Sequence, residues 1–344
     1  MRPMKLLSNR IETRTANPSA PFLAAWLMGA LGLGAAVFKP QAQDTITPKN
    51  IAMDMVWADG KFTEGPTLGP VGVIFFSDIG NRTMRFAPAT GKTTVFRPES
   101  GKSNGLMMDR KGRLVACEGA HGGGRRVSLT TMDGKTRTLV DRWMGKRFNS
   151  PNDLAIDGND RIYFTDPRYG GGNDRELDFE GIFLITGKNV VLATKDIQRP
   201  NGILVSLDGQ HVFAADNHSD PKKNHHLVRF NVQKDGTLVN KKILFDFGPN
   251  RRGIDGMTMD TKGNLYATAG REEHSGVYVF SPAGEHLAFI PTPGPPTNCV
   301  FGGGKEKNVL YITAQARPVK GGKRPWALFR TKLKTTGLHI YPSK

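Results

Sequence analysis

One short pattern recurs along this chain and restricts its fold more than any other feature: an amide or carboxylate side chain, then an apolar run that ends in a turn. It stands in Asn152-Asp153-Leu154-Ala155-Ile156-Asp157, in Asn104-Gly105-Leu106-Met107-Met108-Asp109, in Asn201-Gly202-Ile203-Leu204-Val205 and in Asp255-Gly256-Met257-Thr258-Met259-Asp260. A weaker copy is Asn298-Cys299-Val300-Phe301-Gly302, and Glu64-Gly65-Pro66 opens the series. The opening residues Glu64, Asn104, Asn152, Asn201, Asp255 and Asn298 are separated by 40, 48, 49, 54 and 43 residues. Recurrence at forty to fifty-odd residues is the mark of a repeat architecture, because each unit needs its neighbours to bury its apolar face.

Within each unit the runs are strand-length. The first ends in a turn such as Asp109-Arg110-Lys111-Gly112 or Asp260-Thr261-Lys262-Gly263, and a second strand such as Arg161 to Asp166 follows. A variable loop leads to a third strand (Gly276 to Phe280), a turn (Ser281-Pro282-Ala283-Gly284) and a fourth strand (His286 to Ile290). Four short antiparallel strands per unit of this length describe a propeller blade. The sequence therefore predicts an all-β, six-bladed β-propeller over residues 44–344. The isolated strand at Ile51 to Trp57 is expected to serve as the outermost strand of blade six, closing the ring and leaving no free edge. A two-domain α/β fold is excluded by the lack of helix-length amphipathic segments between the strands.

Composition supports this: 41 glycines and 22 prolines among 344 residues suit many strands joined by tight turns. The formal charge is +17, but the basic residues are scattered among turns and form no aromatic-interleaved stripe, so no nucleic-acid partner is expected. Only Cys117 and Cys299 are present, too few for a disulfide scaffold or a four-cysteine zinc site, and both are expected as buried thiols. Residues 1–43 read as a targeting segment: a basic stretch ending at Arg14, then an uncharged run from Phe22 to Phe38, then polar sequence. Export to the periplasm or the medium follows, with a junction near Gln43. The alternative is a retained membrane anchor, since the run is at the short limit for spanning a bilayer.

Propeller geometry brings the six opening residues to one end of a central channel. Two carboxylates and four amides offer hard oxygen donors with no thiolate or imidazole. That set suits calcium, with magnesium or manganese next and zinc as a further possibility. Glu64 and Asp255 supply about two negative charges to such an ion. Asn before Gly is also a common turn former, and Asp153 has a structural alternative in holding its own loop by backbone hydrogen bonds. Asp109, Asp157 and Asp260 are expected as turn residues. His121, His218 and His274 are secondary candidates for substrate contact. The loops between second and third strands open on the same face and are expected to line a pocket.

From about Glu64 to Leu333 the chain resembles the senescence marker protein, gluconolactonase and luciferin-regenerating enzyme family, its gluconolactonase-like branch above all. The residues that carry this are Glu64-Gly65-Pro66, Gly145 to Asp153 (GKRFNSPND), Tyr163-Phe164-Thr165-Asp166-Pro167, Pro200-Asn201-Gly202, Asp255-Gly256-Met257 and Thr297 to Gly303. The resemblance implies a divalent cation on Glu64, Asn152, Asn201 and Asp255, with Asp255 also placed as base. It implies hydrolysis of a sugar lactone, whose ring Asn104, Asn152, Tyr169 and Asn298 would contact. The expected partner is a small-molecule lactone, with no stable protein partner. Two other readings use the same channel: a phosphotriesterase-like hydrolase, and a non-catalytic calcium-binding propeller that recognises a carbohydrate or protein. Arg168, standing where relatives often have a second proline, and the basic, histidine-rich loop from Asn217 to His226 depart from the family pattern and leave the substrate open.

Overall fold

A computed structural model describes residues 40–119, 122–169, 173–318 and 322–340. Six four-stranded antiparallel sheets follow one another along the chain. Their innermost strands are Thr63–Leu68, Leu106–Met108, Leu154–Ile156, Pro200–Val205, Ile254–Met259 and Pro296–Phe301, so the six blades begin where the six-fold repeat places them. Blade six is completed by Asp54–Gly60, which pairs antiparallel with Trp326–Lys332 on the outside. The closing strand is the expected one, shifted three residues towards the C-terminus.

Burial falls from axis to rim, which explains the hydrophobic pattern strand by strand. Second strands such as Ile74–Asp78, Leu114–Glu118 and Leu265–Ala269 are buried at every position, because each lies between two neighbouring sheets and meets apolar side chains on both faces. Fourth strands such as Lys92–Arg97 are largely exposed or half-buried and read as polar. Aromatic side chains fill the wedge between blades: Phe148 packs edge-on against Phe164 and Phe183 with ring centroids 5.0 and 5.1 Å away, each contact adding about 1 kcal/mol beyond its buried area. Cys117 and Cys299 are both free and buried, as expected.

A second repeated device lies at the ends of the second strands. Asp78 accepts the backbone N–H groups of Lys61 and Phe62, Asp166 those of Asn149 and Ser150, and Asp216 those of Gln198 and Arg199. All three carboxylates are fully buried. Each one holds the segment that leads into the innermost strand of its own blade, so these residues are clamps and not pocket-lining groups as the loop reading suggested. Asp109, Asp157 and Asp260 are turn residues, each accepting two backbone N–H groups within the turn that follows its innermost strand.

Two terminal segments complete the body. Pro40–Ile46 forms a short helix, and Gln43 uses both ends of its amide on Phe289, accepting from the backbone N–H at 2.9 Å and donating to the carbonyl at 3.3 Å. It thus mimics a neighbouring strand on the outer edge of blade five. The junction expected near Gln43 falls inside this helix; the rest of the proposed leader lies outside the described residues. At the other end, Thr335 to Ile340 crosses the channel opposite the ring of opening residues. Leu338 N–H donates to the Met259 carbonyl and the Thr261 N–H to the Thr336 carbonyl. Leu338, His339 and Ile340 close a cavity of about 110 Å³ whose walls include Met107, Met257 and Cys299.

Candidate active site at the channel mouth

The innermost strands converge closely, and glycine makes the approach possible. A Cβ on Gly65 would overlap the carbonyl of Asn104, one on Gly202 the carbonyl of Asp255, and one on Gly256 the side chain of Asn298. Gly105 meets Asp153 and the Asn152 carbonyl in the same way. Of these four, only Gly65 has a left-handed backbone, at φ +49°. The Asn-Gly and Asp-Gly pairs are therefore not turns: glycine stands after four of the six opening residues because the start of the next blade's innermost strand occupies the space of a side chain.

This packing leaves Glu64, Asn104, Asn152, Asn201 and Asn298 buried and Asp255 half-buried around the channel mouth. Asn201 and Asp255 are joined directly, Asn201 Nδ2 donating to Asp255 Oδ1 at 2.8 Å. The same amide donates to Tyr169 Oη at 3.0 Å, and Tyr169 donates in turn to the Asn217 carbonyl at 3.2 Å. The guanidinium of Arg199 lies over the Tyr169 ring, 5.3 Å from its centroid, while its nitrogens pair with Glu180 at 3.0 and 3.1 Å. Tyr169 thus sets the orientation of Asn201, with burial pushing its hydroxyl well above the usual phenol range.

Asp153 does more than hold its loop. It accepts the Leu154 N–H at 2.9 Å, as expected of a loop carboxylate, and its other oxygen accepts from Asn298 Nδ2 at 3.4 Å. Blades three and six face each other in a six-membered ring, so this bond crosses the channel and forms a floor beneath the mouth. Asn298 is itself fixed, its Oδ1 accepting the Cys299 N–H at 2.8 Å. Glu64 accepts the Gly65 N–H at 3.1 Å.

Three carboxylates, the buried Glu64 and Asp153 and the half-buried Asp255, consequently stand near enough to act on one another's charge. Burial, then the charges of Asp255 and Asp153, push Glu64 well above the usual carboxylate range. Burial pushes Asp153 up to about 7. Burial also raises Asp255, although Arg252 and Asn201 pull it back. Arg252 donates from Nη2 to Asp255 Oδ2 and from Nη1 to the Pro296 carbonyl at 2.6 Å. Glu64 and Asp255 are the two carboxylates expected at the mouth from the repeat. Asp153 is a third carboxylate there, and Arg252 brings a positive charge into contact with Asp255.

The donor set fits a hard divalent cation. Buried carboxylates that raise one another's proton affinity need a positive charge to ionise together, and the surrounding side chains offer amide oxygens with no thiolate or imidazole. A half-turn of the Asn201 amide presents its oxygen in place of the nitrogen that now faces Asp255.

Of the remaining histidines, His218 accepts the Asp220 N–H at 2.9 Å on Nδ1, and its carbonyl takes a hydrogen bond from His225, so it braces its own loop. His274 is exposed, and His121 lies outside the described residues. Arg252 and the cross-channel reach of Asp153 escaped sequence reasoning. The available signals were Arg252 three residues before Asp255, and an aspartate where four other copies of the motif have glycine.

Comparison with known proteins agrees with the fold. The family described as SMP-30/Gluconolactonase/LRE-like region matches residues 62–316. A gluconolactonase of Zymomonas mobilis is 29% identical over 316 residues, covering 82% of this chain and 84% of that protein. The structure of a gluconolactonase from Xanthomonas campestris superposes with a TM-score of 0.71 at 26% identity, over 87% of this chain and 94% of its own. A calcium-binding protein, regucalcin, from Agrobacterium tumefaciens shares the fold at a TM-score of 0.68 and 18% identity, over 86% of this chain and 98% of its own.

Proposed function

The chain belongs to the SMP-30/gluconolactonase/LRE-like family, and from that membership we propose that it is a cation-dependent hydrolase that opens a sugar lactone at the channel mouth. Its similarity to gluconolactonases along most of its length supports lactone hydrolysis as the reaction. The observation that carries the assignment to this site is that Glu64, Asn152, Asn201 and Asp255 open or lead into innermost strands at one end of the channel, with Asn201 bonded to Asp255 and Asn298 to Asp153.

Glu64, Asn152, Asn201 and Asp255 are the proposed cation ligands, calcium being the first choice for an all-oxygen set. The chemistry such a cation supplies is Lewis acidity towards an ester carbonyl. Asp255 is the proposed base: its carboxylate accepts the proton of the attacking water, its orientation set by Asn201 on one oxygen and Arg252 on the other. Asn104 and Asn152 are the proposed hydrogen-bond partners of the substrate's ring hydroxyls. Tyr169 acts through Asn201, and Asn298 through Asp153, which forms the floor and keeps the substrate in the mouth. The tail at Leu338 to Ile340 closes the opposite end, so substrate enters from the loop face.

A pH-indicator assay over a panel of aldonolactones, run beside a fluorophosphate, separates the two hydrolytic chemistries. Turnover of at least one lactone, at a kcat/KM at least about 100-fold above that for the fluorophosphate, is expected, a ratio of the size that a site shaped for one electrophile gives. No lactone turnover with calcium, magnesium, manganese or zinc present would refute the assignment.

A further inference from the structure

We infer that Arg252 is the mouth's built-in counter-ion: it holds Asp255 and ties blade five to blade six when no cation is bound, and it lowers the cation affinity of the site by doing so. The inference rests on the cation site proposed above. It stands on the placement of one side chain. Arg252 has its guanidinium on Asp255 Oδ2 through Nη2, while Nη1 donates to the carbonyl of Pro296 at 2.6 Å, two residues before Asn298. A longer contact of 3.4 Å reaches the Gly270 carbonyl. The arginine side chain is only 14% exposed and that of Asp255 13%, so the pair is largely withdrawn from solvent.

The charges facing this pair define its role. Glu64 and Asp153 belong to the innermost-strand starts at the same end of the channel as Asp255, and Arg271 is a more distant cation. Without a bound cation, Arg252 is the guanidinium in direct contact with this cluster, and repulsion among the three carboxylates rises if it is removed. With a cation bound, that ion supplies the compensating charge and Arg252 contributes less. A group that stabilises the free form more than the loaded form must weaken binding by the same factor, since the two equilibria share one cycle.

The tether is also geometric. Each hydrogen-bonding arm of Arg252 ends on a different blade, so Asp255 is fixed relative to the strand that carries Asn298. A lysine retains the charge but cannot grip both oxygens at once. Arg252 is therefore a positioning residue, distinct in effect from the proposed ligands, whose loss must weaken cation binding. Substitution of Arg252 should do the opposite.

The experiment measures calcium binding by titration calorimetry, and thermal midpoints with and without calcium, for chelator-stripped wild type, Arg252→Gln and Arg252→Lys. Arg252→Gln is expected to lower the calcium-free midpoint by roughly 5 °C, to lower the calcium-loaded midpoint much less, and to bind calcium about tenfold more tightly. Arg252→Lys is expected to fall between the two proteins in both readouts. If Arg252→Gln folds only when calcium is present, that is the same result in stronger form. Equal losses of midpoint with and without calcium, at unchanged affinity, would overturn the role of Arg252 and leave the cation site standing. Wild-type protein that binds no calcium, magnesium or manganese would overturn the site itself and the inference with it.

Discussion

Asp255→Asn is expected to lower kcat/KM for lactone opening by about 1,000-fold, within the range that loss of a positioned general base produces. The amide matches the carboxylate in shape and can still accept from Arg252, so the thermal midpoint should move by only a few degrees. What it loses is the charge that makes an oxygen basic, and an amide oxygen cannot take the proton of water. The amide also brings an N–H₂ group towards Asn201 Nδ2, which now donates to Asp255 Oδ1, so Asn201 must turn. Activity close to wild type would remove Asp255 from its proposed place in the reaction. Asn201→Ala provides the contrast: a change in KM or cation requirement larger than the change in kcat is expected for a residue that binds and orients.

The largest stability effect is expected from Gly65→Ala, at about 3 kcal/mol or more. Two costs combine there. A left-handed backbone at φ +49° disfavours any residue with a Cβ by about 1 to 2 kcal/mol. The new methyl also overlaps the Asn104 carbonyl, a backbone group that cannot rotate aside, and overpacking of this kind costs about 1 to 3 kcal/mol. Gly91→Ala separates the two terms, because Gly91 has φ +67° and no heavy atom within 4 Å of the added Cβ. It should show the conformational term alone, near 1 kcal/mol. Chemical denaturation of both variants measures this, and equal losses at the two positions would mean that inter-blade contact adds nothing at Gly65.

The blade count was legible because the period of the opening residues and the turns between strands are local signals, and six copies leave little freedom in how they stack. The closing strand was legible for the same reason, as one strand left over at the N-terminal end of a ring that needs one more. The reason for the glycines was not. In sequence, Asn201-Gly202 and Asp255-Gly256 look like turns, and the constraint comes from residues about fifty positions away in the next blade. Asp153 was seen as a loop carboxylate, half of what it does, because Asn298 lies 145 residues further along the chain. Arg252 was hidden among 48 lysines and arginines; only the fold selects the one that grips Asp255. The loops between second and third strands were expected to line a pocket, but the carboxylates of Asp78, Asp166 and Asp216 where those loops begin accept backbone N–H groups of their own blades. The tail at Thr335 to Ile340 lies beyond the last repeat, where periodicity no longer informs.

The central claim is that this mouth opens a lactone with the help of a divalent cation held by Glu64, Asn152, Asn201 and Asp255. The most direct test follows hydrolysis of an aldonolactone by purified protein after chelation, and again after calcium, magnesium, manganese or zinc is restored in turn, with Glu64→Gln carried in parallel. Loss of activity on chelation, recovery with at least one of these ions, and a Glu64→Gln variant that needs far more of that ion are the predicted results. Undiminished hydrolysis by metal-free protein, or a Glu64→Gln variant indistinguishable from wild type at limiting cation, would contradict the account.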